Sequence, residues 1–384
     1  MINDKKVAGI ICEYNPFHNG HKYQIDKTRA DTGCEDVVCA MSGSMVQRGD
    51  VAVYDKWSRC RSAIAGGADL VIELPAYYVL QSAQNFAHGG VELLTGLGVV
   101  DILSFGSESG DTEALDKTAN ALVSESDDFR RALEKALSSG MGYPAAVQEA
   151  LAYVVKEPLM PNDILAVNYL TAIKKMNSPL MPYVLKRNVP YHGETASDES
   201  NASATAIRGM ICRGEDYSDY VPCLNKAPTY DIHNVQNLVL GYMRLCKPQN
   251  LKDITGMEDG LENRLISCAK AASDLDEFFA SAVSKRYTAH RIRRVVLSSL
   301  MNMTPGRKLD YIRVLGFNGK GRELLAEIKK KSNLTTVTKT ADFKPCDDSM
   351  FEFDILATDL AALCCNDKSK RSAGADYTTS PIII

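Results

Sequence analysis

The 384-residue chain has no run of about 18 apolar residues, so no helix of it is expected to span a membrane. The apolar stretch Val7–Cys12 behind Lys5 and Lys6 is also too short for the core of a signal peptide. No C-x-x-C pair occurs, which leaves a zinc ribbon without support. The eleven cysteines are scattered and odd in number, a pattern of free thiols that fits a reducing cytoplasm. Charge of one sign is not in excess either: 44 Lys+Arg stand against 48 Asp+Glu, a formal charge of −4, so any nucleic-acid site must be a local patch. Internal repeats and low-complexity arrays are absent. With 45% hydrophobic and 24% charged residues the composition is ordinary for a globular protein, which excludes a collagen-like chain, a disordered chain and a disulfide-stapled miniprotein. The length allows two or three domains of roughly 100–200 residues, with a sizeable core in each of two.

What is present is an alternation of short buried strands and helices through the first half. Strands are expected at Val7–Cys12, Asp36–Met41, Asp69–Leu74, Val99–Phe105 and Met181–Leu185. Helices are expected over His21–Arg29, Tyr54–Ala65, Ser82–Leu97 and Asn162–Lys175. Buried strands separated by helices imply βαβ units and a doubly wound, Rossmann-like parallel sheet, with ligands at the carboxyl ends of its strands. The stretch Gly214–Asp231, with Pro222 and Pro228, reads as a linker. Beyond it the pattern turns helical, over Val235–Cys246, Leu261–Ser281, Thr288–Met301 and Gly321–Lys331, and a loosely held polar tail follows Asn366. The expected organisation is residues 1–215, a linker at 216–233, and a mainly helical domain at 234–384.

The residues that bear chemistry begin where the first strand hands over to the first helix, at Glu13-Tyr14-Asn15-Pro16-Phe17-His18-Asn19-Gly20-His21. Pro16 forces a turn, Asn19 or Gly20 can cap the helix, and Gly20 lets backbone approach a ligand closely. His18 and His21 are three apart and share one side of a helical first turn. A helix N-terminus with free N–H groups is a natural phosphate site, and two imidazoles there can donate to phosphate oxygens as charge builds in an in-line displacement. A zinc pair has no third ligand close by in the sequence, and no metal site is expected. A second capped helix starts at Ser203-Ala204-Thr205-Ala206-Ile207-Arg208, where Ser203 or Thr205 can cap and Arg208 can grip phosphates one turn in. The small, polar loop Ser42–Asp50 follows the second strand as a substrate loop would, with Gln47 or Arg48 available to read a small acid or RNA.

The second half carries a concentrated positive charge. From Ser281 to Lys331 there are 13 Lys+Arg against the three acids Asp310, Glu323 and Glu327, a local balance of 13 − 3 = +10. That is the electrostatic footprint of phosphate binding. Lys285, Arg286, Arg291 and Arg294 fall near one helix, with Tyr287 as a possible stacking residue.

Several strings in the chain, among them GIICEYNPFHNGH, SGSMVQRGDVAVYDKWSR, SFGSESGD, PNDILAVNYL, SATAIR, KRYTAHRIRR and RVLGFNGKGRELL, resemble the tRNA(Met) cytidine acetate ligase family of the H-x-G-H nucleotidylyltransferase superfamily. The resemblance spans about residues 7 to 332. It implies an enzyme that activates acetate with ATP and Mg²⁺ to acetyl-adenylate and pyrophosphate. The acetyl group then passes to N4 of the wobble cytidine of elongator tRNA(Met), in the cytoplasm, with no obligate protein partner. By the same resemblance ATP is bound along Val7, Gly9, Ile10, Ile11, Glu13, Tyr14, Asn15, Pro16, Phe17, Asn19 and Gly20, and by Gly106, Asn162 and Arg187. His18, His21, Thr205 and Arg208 would act at the phosphates. Two positions depart from the family pattern: Ala204 replaces a second Ser, and Asp50 replaces a more common Glu. Two other readings stay open at this point, a small-molecule adenylyltransferase and a non-catalytic RNA-binding protein.

Overall fold

The computed structural model describes residues 5–151, 159–187 and 202–384. Its strands in chain order are β1 (Val7–Cys12), β2 (Asp36–Ser42), β3 (Met45–Val46), β4 (Asp50–Val51), β5 (Leu70–Leu74), β6 (Ile102–Ser107), β7 (Met181–Lys186), β8 (Tyr311–Phe317), β9 (Thr335–Val337) and β10 (Ile382–Ile383). The main sheet runs β10-β8-β5-β2-β1-β6-β7, with β9 beside β8, and β3 pairs with β4 in a separate small hairpin. The stretch β5-β2-β1-β6-β7 is parallel throughout, as the alternation of strands and helices requires.

The period of two along each strand sorts side chains between two layers of helices. Ala8, Ile10, Val37, Cys39, Met41 and Val71 face one core with Ile25 of helix Asn19–Thr32 and Ile64 of helix Lys56–Ala65. Val7, Val38, Ala40, Leu70, Ile72 and Leu74 face the other, with Leu94 of helix Ala83–Gly96 and Leu170 of helix Pro161–Lys175. That second core continues without a break into Val295 of helix Ala289–Leu300 and Phe353 of helix Phe351–Cys364.

Three local expectations are corrected. The stretch Leu261–Ser281 is two helices, Leu261–Ala271 and Leu275–Ala282, because Asp274 starts a new one by accepting from the Glu277 amide at 2.8 Å. Tyr311–Phe317, expected to lie in helical territory, is the buried strand β8, antiparallel to β5. The tail is not loose: Ile382 and Ile383 pair with Gly316 and Phe317. The linker stretch touches both halves: Asn19 Nδ2 donates to the Asp219 carbonyl at 2.8 Å and Tyr54 and Tyr217 pair through their hydroxyls at 2.6 Å, while the Asp231 amide donates to the Cys364 carbonyl at 2.9 Å.

Candidate active site

Helix Asn19–Thr32 does not start on Asn19 or Gly20 as its cap. The cap is His18, whose Nδ1 accepts from the Gly20 amide at 3.1 Å, while His21 Nδ1 accepts from the His18 amide at 3.3 Å. This is a capping box built from two imidazoles. It fixes the tautomer: with Nδ1 accepting, each neutral ring carries its proton on Nε2. The rings stack at 3.7 Å between centroids. Burial, followed by the nearby charges of Arg187 and Arg208, pushes His18 down to about 3. Burial, His18 and Arg187 hold His21 well below the ordinary histidine range. Both rings are therefore neutral Nε2–H donors at neutral pH. Gly20 is required by this cap, because a Cβ there would lie 2.9 Å from His18 Cε1.

Helix Ala204–Arg213 is capped by Ser203, whose hydroxyl accepts from the Ala206 amide at 3.1 Å. One turn in, Arg208 donates to the Asn15 carbonyl at 2.7 Å and to Thr205 Oγ1 at 3.0 Å. The guanidinium is thereby held on the loop that leads to the two histidines. Asn15 is itself fixed, its Oδ1 accepting from the Val53 amide at 2.8 Å.

These groups open on one cleft of roughly 680 Å³ at the carboxyl ends of β1, β2, β6 and β7. Its lining includes Ile11, Glu13, Tyr14, Asn15, His18, His21, Gly106, Asn162, Arg187, Thr205 and Arg208. Gly106 leaves room for Arg187, whose Cγ would lie 3.2 Å from a Cβ at that position. Asn162 does not cap its helix. Its Nδ2 donates to Glu108 Oε1 at 2.6 Å, and Asp163 returns the contact by accepting from the Glu108 amide at 3.0 Å. The other expected residues lie beside the cleft, not on it. Val7 and Ile10 are core, and Gly9 gives room to Leu94. Pro16 follows a cis bond from Asn15, Phe17 packs its ring 4.8 Å from that of Tyr14, and Asn19 bonds Asp219.

A family model described as HIGH Nucleotidyl Transferase matches residues 5–376. The tRNA(Met) cytidine acetate ligase of Acetivibrio thermocellus is 36% identical over 416 residues, covering 99% of this chain and 100% of that one. The one from Thermoanaerobacter sp. strain X514 is 37% identical over 396 residues, covering 97% and 98%. The chain belongs to the tRNA(Met) cytidine acetate ligase family. Among solved structures it is similar to Thermotoga maritima TmcAL bound with alpha-thio ATP, with a TM-score of 0.88, 30% identity and 99% of each chain covered. The apo form of the same Thermotoga protein gives a TM-score of 0.90 at 29% identity.

Within this family member the sequence reading passed over Arg59, which builds the site from beneath. Arg59 is buried, and donates to the carbonyls of Glu13 at 2.5 Å, Ser42 at 3.1 Å, Gly43 and Tyr54. It ties the ends of β1 and β2 together. Glu13 Oε1 accepts from the Gln47 amide at 2.6 Å, which fixes the loop after β2 against β1. An Arg inside the run DKWSR carries no local signal of this role, because its partners are up to 46 residues away.

The basic residues do not form one patch. Lys285 and Arg286 are exposed, with Arg286 paired to Glu258 at 2.8 Å. Arg291 pairs with the same carboxylate at 2.5 Å, and Arg294 donates to the Gln47 carbonyl at 3.0 Å. Tyr287 is buried, so it offers no stacking face. Lys320 donates to the Glu35 carbonyl, at the amino end of β2 and opposite the cleft. Arg313 is buried against Asp376. Among the described residues no helix is long and apolar enough to cross a membrane.

Proposed function

We propose that this protein is a tRNA-modifying ligase. It condenses acetate with ATP to acetyl-adenylate and pyrophosphate, and transfers the acetyl group to N4 of the wobble cytidine of elongator tRNA(Met). The observation that carries this reading is the convergence of His18, His21 and Arg208 on one cleft at the carboxyl ends of a parallel sheet.

Acetate is unreactive towards an amine because its oxygen is a poor leaving group. Attack of its carboxylate on the α-phosphate, with departure of pyrophosphate, joins that oxygen to the AMP phosphorus, so that it can later leave as part of AMP. The step gathers charge on phosphate oxygens, and donors already in place stabilise it without reorganising. The Nε2–H groups of His18 and His21 supply two such donors, and Arg208 a charged one. Arg187, whose charge reaches both histidines, joins Arg208 at the phosphates, and Asn162, with Gly106 admitting a close approach, takes the nucleoside side. In the second step N4 attacks the acetyl carbon, the C–N bond forms, AMP leaves and the N4 proton is released. Holding the mixed anhydride beside the amine is the main requirement, since that amine is a weak nucleophile. No covalent acyl-enzyme is needed. A magnesium ion carried by the triphosphate would neutralise part of the phosphate charge in this step. Among the described residues no group of three His, Cys, Asp or Glu side chains forms a cage for one. The tRNA approaches over the Lys285–Arg286 side.

The test is acetate-dependent exchange of radiolabelled pyrophosphate into ATP, followed by mass spectrometry of tRNA nucleosides for N4-acetylcytidine. His21→Ala is expected to lower exchange at least about 100-fold, the cost of one well-placed donor, while tRNA binding persists. ATP-pyrophosphate exchange that ignores acetate would favour a small-molecule adenylyltransferase. Binding of tRNA without any exchange would favour a non-catalytic RNA binder.

A further inference from the structure

The loop between β2 and helix Lys56–Ala65 closes the β2 side of the cleft, with Gln47, Arg48 and Asp50 on its lining. The residues assigned to the nucleoside, Gly106 and Asn162, stand on β6 and against Glu108 just after it, at the other side of β1. What the nucleotide leaves free is therefore the β2 side. The loop is short: β3 and β4 pair as a hairpin whose turn is closed by the Gly49 amide donating to the Val46 carbonyl at 2.9 Å.

This hairpin is gripped from both sides. Gln47 gives its amide to Glu13 Oε1 on the β1 end at 2.6 Å, and its carbonyl receives Arg294 Nη1 at 3.0 Å. The same helix, Ala289–Leu300, adds His290 Nδ1 against the Arg48 carbonyl at 3.2 Å and Arg293 beside Asp50 at 3.6 Å. Gly49, at φ +75°, lets the turn lie on the helix: a Cβ there would come 2.5 Å from Arg294 N. Gln47 thus joins the strand that leads into the histidine cap to the helix that was read from sequence as an RNA contact.

We propose that Arg294 is a positioning residue that holds the Val46–Asp50 hairpin as the wall against which the small carboxylic acid is seated. Its work then precedes any encounter with RNA. The proposal rests on the ligase reading above, and the acid is named there.

The experiment is tRNA-free, acetate-dependent ATP–pyrophosphate exchange with Arg294→Ala, with acetate and ATP varied separately. Loss of a hydrogen bond from a charged donor is expected to raise the acetate KM roughly tenfold or more, with the ATP KM within about twofold of wild type. Gly49→Ala, which pushes the turn off the helix and leaves the guanidinium intact, is expected to give the same split. Arg294→Lys retains a donor and is expected to recover part of the acetate affinity; it also replaces Arg294→Ala should that variant fail to fold. For tRNA binding, the dependence of log K on log salt is expected to match wild type. An acetate KM within about twofold of wild type in both the Arg294 and Gly49 variants overturns the proposal. So does unchanged exchange together with a salt slope reduced by about 0.7–0.9, the signature of a lost phosphate contact. Failure of the wild-type protein to show acetate-dependent exchange refutes the ligase reading instead, so the two failures are distinguishable.

Discussion

Replacing Asp376 with Ala is expected to destabilise the whole molecule, although it lies only eight residues from the end of the chain. Its carboxylate is 3% exposed and sits 2.8 Å from Lys56 Nζ and 2.9 Å from Arg313 Nη2. Lys56 in turn pairs with Glu73 at 2.8 Å, and both are buried. Two cations and two anions thus balance in one water-excluded cluster. Deleting Asp376 leaves Lys56 and Arg313 sharing one carboxylate, and removal of one partner from a buried pair costs about 3–5 kcal/mol. At an m-value of about 3 kcal/mol/M in urea, the midpoint falls by about 1 M or more. Burial pulls Asp376 up, but Lys56 and Arg313 together hold its carboxyl below the usual range. Its contribution is therefore complete above the unfolded carboxylate value of about 3.9, disappears only as pH falls through the lower folded value, and is fully present at pH 7. Urea titration at pH 7, followed by circular dichroism, reads the effect. A midpoint shift below about 0.3 M would refute the claim that the tail carries a charge the core depends on. The cleft would feel the loss as well, since Glu73 packs against Gly43 at the start of the loop after β2, with no room there for a Cβ.

The state of the histidines gives a pH prediction. With His18 at about 3 and His21 also depressed, the folded protein refuses protons that the unfolded chain accepts below about 6.5. Stability should be flat above that value and fall on acidification towards pH 4, by up to about 1.4 kcal/mol per pH unit for each histidine, as read by denaturant midpoints. The exchange rate should correspondingly show no loss between pH 6.5 and 8 traceable to these rings, whereas a falling limb centred near 6.5 would mean that a protonated imidazole is required. For RNA, reversing Lys285 and Arg286 to Glu should lower the salt slope of tRNA binding by about 0.7–0.9 per lost phosphate contact and leave tRNA-free exchange unchanged; filter binding across a salt series measures the slope.

Much of the nucleotide half was legible in the sequence because its signals are local. An apolar run followed by a Pro turn and two histidines three apart marks a strand, a turn and a helix start within fifteen residues of Val7. The five parallel strands follow from runs such as DLVIEL, whose ends lie within three residues of the observed ones. The identity of the cap was not legible, because His is not an ordinary capping residue; it serves here because a neutral imidazole has one accepting nitrogen. Strand β8 was hidden by Arg313 at its middle. A charge normally argues against a buried strand, and the partner that neutralises it, Asp376, lies 63 residues away. Arg59 and Lys56 were passed over for the same reason, their partners being distant in sequence.

The basic half shows where counting along the chain reaches its limit. An excess of +10 over fifty residues describes a stretch of sequence, whereas RNA meets a surface, and folding distributes those cations among different tasks. Arg313 goes into the core, Lys320 to the far end of the sheet, and Arg294 to the loop after β2. A boundary at residues 216–233 therefore separates two lengths of chain that share one sheet. Strand β8 covers the edge of β5, and Arg313 and Asp376 complete the cluster of Lys56 and Glu73. A nucleotide half cut free at that boundary would expose the β5 edge and leave its buried lysine with half of its counter-charge. The C-terminal half is then part of what makes the ATP cleft, before it is anything that touches RNA.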